Sequence, residues 1–145
     1  MSYHNPWIYK NKIFTSDEIK THVAFVYIIT NVLNNKKYIG KKTFINVNRI
    51  KQANRKLRKV STRESDWQNY YGSSKNLLED IKIHGKENFK RKILYLCKKK
   101  SHASYYEAKE QFKHGCLESD DFYNEWIFCK VRKVHMIGKT KNDKE

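Results

Sequence analysis

The most apolar run of the chain, Val23-Ala24-Phe25-Val26-Tyr27-Ile28-Ile29-Thr30, is dense in β-branched and aromatic side chains and reads as a buried strand. Asn34-Asn35 tolerates the left-handed backbone that a tight turn requires, and Lys36-Lys37-Tyr38-Ile39-Gly40 returns as the second arm of a hairpin. Leu77, Leu78 and Ile81 recur at helical spacing, which predicts a helix over 75–84, opened by Ser73 or Ser74 and stopped by Gly85. Residues 89–97 alternate as a third strand, with Phe89, Arg91, Ile93, Tyr95 and Cys97 on one side. A second helix is expected over 101–113, capped by Ser101 and ended near Gly115. Thr15 and Glu18 form a capping-box pair that predicts a short helix at 16–21. The polar segment 43–65 predicts a short helix between Arg49 and Val60, and 66–74 reads as a loop. After a mixed stretch with the apolar run Trp126-Ile127-Phe128-Cys129, the chain ends in a charged tail expected to be disordered.

Hairpin, helix, strand, helix is the pattern of a small α/β (α+β) domain with a three-stranded antiparallel sheet flanked by helices. Residues 1–22 read as an N-terminal arm packed on the domain through Trp7, Ile8 and Phe14. Residues 23–135 form the domain, with a basic insertion at 43–65, and 136–145 the tail. At 145 residues the chain suits one domain. Its longest apolar run falls well short of the roughly 20 residues of a membrane span, and no secretory apolar region follows Met1. Three cysteines at unrelated spacings make neither a disulfide framework nor a zinc motif, so a reducing, cytoplasmic setting is expected.

Charge adds a partner. Lys and Arg number 31 against 15 Asp and Glu, a net +16, which points to a polyanion, nucleic acid first. The excess is concentrated: no acid occurs between Glu18 and Glu64, and that window holds 12 basic residues. Asn46, Asn48, Gln52 and Asn54 accompany its densest part, Arg49 to Arg63, and suit phosphate and base-edge contacts. Trp67, Tyr70 and Tyr71 beside it could stack on bases, but residues of this kind more often cover a core edge, and that is the expectation here.

Tyr27 and Tyr38 lie across the hairpin turn, and either alone is an ordinary strand aromatic. The ordered set is more specific: Phe25-Val26-Tyr27, Tyr38-Ile39-Gly40-Lys41, Gly72-Ser73-Ser74-Lys75, His84-Gly85-Lys86-Glu87-Asn88-Phe89, a Glu-bearing helix and Tyr123-Asn124. In this order the sequence resembles the GIY-YIG nucleases, and in particular small stand-alone, homing-endonuclease-like members of tailed phages. The second motif tripeptide matches in full; in the first, Gly and Ile are replaced by Phe25 and Val26.

The resemblance implies a Mg²⁺ (or Mn²⁺)-dependent DNA endonuclease in a bacterial or phage-infected cell, with no small-molecule cofactor and no membrane partner. Tyr38 would activate or position the attacking water, its phenolate favoured by Lys41 and Lys42 against an ordinary pKa of ~10. Tyr27 would orient Tyr38, Glu107 would ligate the metal, and Asn124 would help to hold the substrate. Lys41 matches a lysine of some members. The family's arginine falls at Asn48, so Arg49 takes that role, with Arg55, Arg58 or Lys75 as alternatives, and Glu110 is the alternative to Glu107. Lys42, Arg55, Lys56, Arg58, Lys59, Arg63 and Lys75 are the expected nucleic-acid contacts. A non-catalytic nucleic-acid-binding module on the same scaffold is the second reading, and an RNA-directed protein the third.

Overall fold

The structure is a computed structural model that describes residues 5–53 and 59–136. The expectations for Arg55, Lys56, Arg58 and the tail from 137 lie outside the described residues. Its main sheet is five-stranded, in the order β2-β1-β7-β3-β4, with β1 Trp7–Tyr9, β2 Lys12–Ile13, β3 Ala24–Asn31, β4 Lys36–Thr43 and β7 Phe89–Cys97. The central strand β3 runs antiparallel to both β4 and β7, and β1 joins β7 in parallel. The two strands beyond the hairpin-plus-one pattern come from the N-terminal segment. Trp7 inserts beneath the sheet, in edge-to-face contact with Phe25 and Tyr27 at 5.0 and 5.1 Å, and its Nε1–H donates to the Trp67 carbonyl.

Each sheet face has its own core. Phe25, Tyr27 and Ile29 of β3 pack with Trp7, Phe44, Trp67 and α1 (Lys75–His84). Ala24 and Val26, on the opposite face, pack with Ala103 and Tyr106 of α2 (Lys100–Lys113). Helix α1 begins where Ser74 Oγ accepts from Leu77 N–H and ends at Gly85, whose φ of 90° excludes most side chains.

Four local expectations are corrected. The alternation of β7 does not persist: its register with β3 shifts between Val26 and Tyr27, skipping Leu94. This bulge turns Tyr95 and Cys97 to the α2 face, opposite Ile93. Tyr95 thereby stacks on Tyr106 at 4.7 Å and donates to Glu110 at 2.8 Å. The cap of α2 is Lys99, with no side-chain hydrogen bond; Ser101 lies inside the helix and donates to the His135 carbonyl. The capping box of Thr15 and Glu18 opens only a single 3₁₀ turn, Ser16–Glu18. The helix expected between Arg49 and Val60 is replaced at both ends by strands, β5 Ile45–Ile50 and β6 Lys59–Glu64, which pair antiparallel. Val47, Val60 and Thr62 stand at every second position of their strands, a two-residue period hidden among the charges.

Candidate active site

The register of β3 on β4 sets Tyr27 opposite Gly40. A Cβ on Gly40 would lie 2.5 Å from the Tyr27 hydroxyl and 2.9 Å from Tyr38 Cε2, so this position requires glycine for close approach. The Tyr27 and Tyr38 rings stand 6.2 Å apart, and Tyr70 meets Tyr27 edge-on. Gly72, at φ +93°, brings the following serines over Tyr38, whose hydroxyl lies 3.2 Å from Ser73 Oγ. Gly40→Ala is expected to displace both rings and to destabilise the fold by about 1–3 kcal/mol, read as a lowered urea midpoint at unchanged m.

These groups open on a cavity of about 480 Å³ at the outer edge of β4. Tyr38 reaches it from one face of the strand and Lys41, three residues on, from the other. The N-terminus of α1 supplies Ser73, Ser74 and Lys75, helix α2 supplies Glu107 and Gln111, and the extended segment after Tyr123 supplies Asn124, Glu125, Trp126 and Phe128. That segment closes the sheet edge. Lys37 exchanges backbone bonds with Asp121 and Tyr123, and Asn124 then does with its side chain what another strand would do with its backbone. Its Oδ1 accepts from Ile39 N–H at 3.0 Å and its Nδ2 donates to Ile39 O at 2.8 Å, a carbonyl that also accepts from Gln111 Nε2.

The electrostatics differ from the sequence expectation at the tyrosine. Burial pushes the Tyr38 phenol above its ordinary pKa, against the lowering effect of its bond to Ser73, and Tyr27 is pushed well up by burial and by Tyr70. The expected resting phenolate is therefore not favoured. The two lysines are engaged elsewhere: Lys41 Nζ donates to Ser104, and Lys42 pairs with Asp66 at 2.9 Å and lies over the Tyr70 ring. Glu107 is half-buried, and desolvation raises its pKa to about 7 despite the opposing pull of Lys41.

A family model described as "Putative endonuclease segE, GIY-YIG domain" matches residues 7–127. The chain belongs to the GIY-YIG family. It is also 33% identical over 100 residues to the protein named "Putative endonuclease segE" of Enterobacteria phage T4, a match covering 69% of this chain and 39% of that relative. The chain thus spans about two fifths of the length of the curated relative it matches. No solved structure matches it significantly.

Within this GIY-YIG domain, Tyr38, Lys41, Lys75, Glu107 and Asn124 share one cavity, and Tyr27 lies buried behind Tyr38. Glu110 is turned away, held by Tyr95 against β7. Arg49 does not line the cavity; it is exposed on the β5–β6 ribbon, as are Lys59 and Arg63. Among the described residues, the cations lining the cavity are Lys41 and Lys75.

Sequence reasoning missed Gln111, Glu125, Trp126 and Phe128 as cavity residues. Gln111 stands one helical turn beyond Glu107, a spacing that could have flagged it. Its buried Oε1 has no hydrogen-bond partner, and Gln111 lines the same cavity as Glu107. A desolvated carboxylate and a glutamine with an unsatisfied oxygen on one cavity are donor chemistry that fits a hard divalent cation or its water shell. No group of three or more acidic, His or Cys side chains is assembled among the described residues. A cation here would therefore keep much of its own water, as Mg²⁺ commonly does. Among the described residues, no helix is long and apolar enough to cross a membrane.

Proposed function

We propose that the chain is a Mg²⁺-dependent DNA endonuclease of the phage homing-like type, hydrolysing phosphodiester bonds in the cavity at the edge of β4. The observation that carries this reading is the convergence there of Tyr38, Lys41, Lys75 and Glu107, supplied by three separate segments of the chain, β4, α1 and α2. The cytoplasm of an infected bacterium, where such DNA lies, is the matching location.

Each group has a physical task. The scissile phosphate enters beside the α1 N-terminus, where the helix dipole and Lys75 favour an anion. The Tyr38 hydroxyl, held by Ser73, would position the attacking water, its phenol kept protonated at rest by burial. Lys41, fixed by Ser104, stabilises charge developing on the phosphate oxygens. Glu107 and Gln111 would hold the metal, which when bound supplies Lewis-acid polarisation of the phosphate. Asn124 acts on Ile39 and so keeps the strand that carries Tyr38 and Lys41 in place.

A supercoiled-plasmid assay tests the reading: nicking or linearisation with Mg²⁺ or Mn²⁺ and none with EDTA. Tight DNA binding with no cleavage under any divalent cation would instead favour the non-catalytic module, a reading supported by the absence of an arginine from the described cavity wall. Tyr38→Phe is expected to lower the cleavage rate at least ~100-fold while DNA affinity stays within about twofold. A rate loss matched by an equal affinity loss would make Tyr38 a binding residue only.

A further inference from the structure

We infer that the β5–β6 ribbon enters the major groove of duplex DNA and reads bases through one face, formed by Asn46, Asn48, Ser61 and Arg63. The inference rests on the DNA reading above and deepens it by assigning the element that selects the site.

Register defines the face. Asn46 pairs with Arg63 and Asn48 with Ser61, so these four side chains project on the same side of the ribbon. Ile45 and Val47 alternate to the other side, where Ile45 packs against the main core, so the Asn face is turned away from the body. Every residue of β6 is exposed, as are Asn46, Asn48 and Arg49. An exposed two-stranded ribbon of six paired positions is costly to keep without a partner.

Its chemistry selects that partner. The described ribbon carries Arg49, Lys59 and Arg63, and its one acid, Glu64, is tied to the body: its Oε2 accepts from Trp67 Nε1 at 2.7 Å and Ser16 Oγ at 2.8 Å. The net positive charge suits phosphate walls on either side of the ribbon. The B-form major groove, about 12 Å wide, admits a two-stranded ribbon, whereas the deep, narrow A-form groove of duplex RNA does not. Arginine matches the paired acceptors of guanine, asparagine the acceptor and donor of adenine, and serine serves either.

The ribbon is also rigidly placed relative to the cavity. Strand β4 carries Tyr38 and Lys41 and runs through buried Phe44 directly into β5, and Ser65 bonds back to Thr43 and Phe44 at the other root. Eight residues separate Tyr38 from Asn46; at about 3.3 Å each the span is at most ~26 Å. The scissile phosphate therefore lies within about one helical turn of the bases read, at a fixed offset.

The test is selection of bound duplexes from a randomised pool by the full chain in EDTA, followed by mapping of cleavage in Mg²⁺. Wild type is expected to enrich a short motif and cut at one offset from it. Asn48→Ala and Arg63→Ala should each relax one position of that motif by about 5- to 150-fold, with unchanged circular dichroism. Uniform weakening on all sequences, with a salt slope reduced by about 1, would show phosphate contact only and overturn the inference, as would tighter binding to duplex RNA. A selected motif without cleavage would sink the nuclease reading and leave this one standing; cleavage with no base preference would do the reverse.

Discussion

Glu107→Gln is expected to abolish plasmid nicking, whereas Glu110→Gln should retain most of it. Glu107 faces the cavity, and removing its charge removes the carboxylate available to a divalent cation, a loss of several kcal/mol of transition-state stabilisation, or ~10³-fold in rate. Glu110 accepts from Tyr95 on the far side of α2, and a glutamine there can still accept that bond. Stability should move in the opposite sense to activity. The native Glu107 carboxyl holds its proton to about pH 7, while the unfolded one releases it near 4.5, so between those values the native state binds more protons and unfolding free energy falls as pH rises. A rise of that size corresponds to roughly 3 kcal/mol, of which about half survives the solvent contact of a half-buried group. In EDTA, Glu107→Gln should therefore melt with wild type near pH 4.5 and several degrees above it at pH 8. A variant less stable than wild type at pH 8 would show that Glu107 is a structural carboxylate rather than a desolvated functional one. Retained nicking by Glu107→Gln together with loss in Glu110→Gln would move the metal ligand one turn along α2.

What the sequence disclosed about this fold follows from which interactions are local. Strands β3 and β4 were legible because β3 is a continuous β-branched and aromatic run, buried on both faces, and Asn35 supplies the positive φ of the turn. Helix α1 was legible because Ser74 and Gly85 mark both ends within one short window. Ribbon β5–β6 was not, because its alternation is written in Asn, Ser, Arg and Lys, whose abundance reads as loop, and neither face is buried enough to enforce an apolar stripe. The β7 bulge was hidden for a different reason: Leu94, Tyr95 and Leu96 are all apolar, so no local pattern says where the register slips. At the site, the tyrosines and Glu107 were found by their order along the chain. Gln111, Trp126 and Phe128 enter through tertiary docking of α2 and the 121–128 segment, which no local window encodes. A phenolate at Tyr38 is not favoured because burial raises its pKa, while alternation turns Lys41 to the other face of β4, where it donates to Ser104, and Asp66 holds Lys42.

Arg91→Met is expected to destabilise the protein by about 3 kcal/mol or more and to lower activity with it, although Arg91 lies outside the cavity. In the sequence Arg91 is one charge among many on an alternating strand; in the structure it is 1% exposed. Its guanidinium lies against the faces of Trp7 and Tyr71, at 4.7 and 4.0 Å from the ring centroids. It donates to three backbone carbonyls, Asn5 at 3.1 Å, Gln68 at 2.9 Å and Tyr70 at 2.8 Å. One side chain thus ties the N-terminal strand and the 66–72 segment to β7 with the planar five-donor fork that lysine lacks. Methionine fills much of the volume but leaves those carbonyls without their donor in partly buried surroundings, at about 1–3 kcal/mol for each that water cannot reach. The effect reaches the site because Tyr70, Gly72 and Ser73 follow directly on that anchor: Tyr70 packs on Tyr27, and Ser73 meets the Tyr38 hydroxyl. Arg91→Lys separates charge from geometry. It keeps the cation between two rings but not the three directed bonds, so it should recover only part of the lost urea midpoint and little of the rate. Full recovery by lysine would assign the role of Arg91 to cation–π contact alone; an Arg91→Met variant as stable as wild type would mean that water satisfies all three carbonyls and that the 66–72 segment is held from elsewhere.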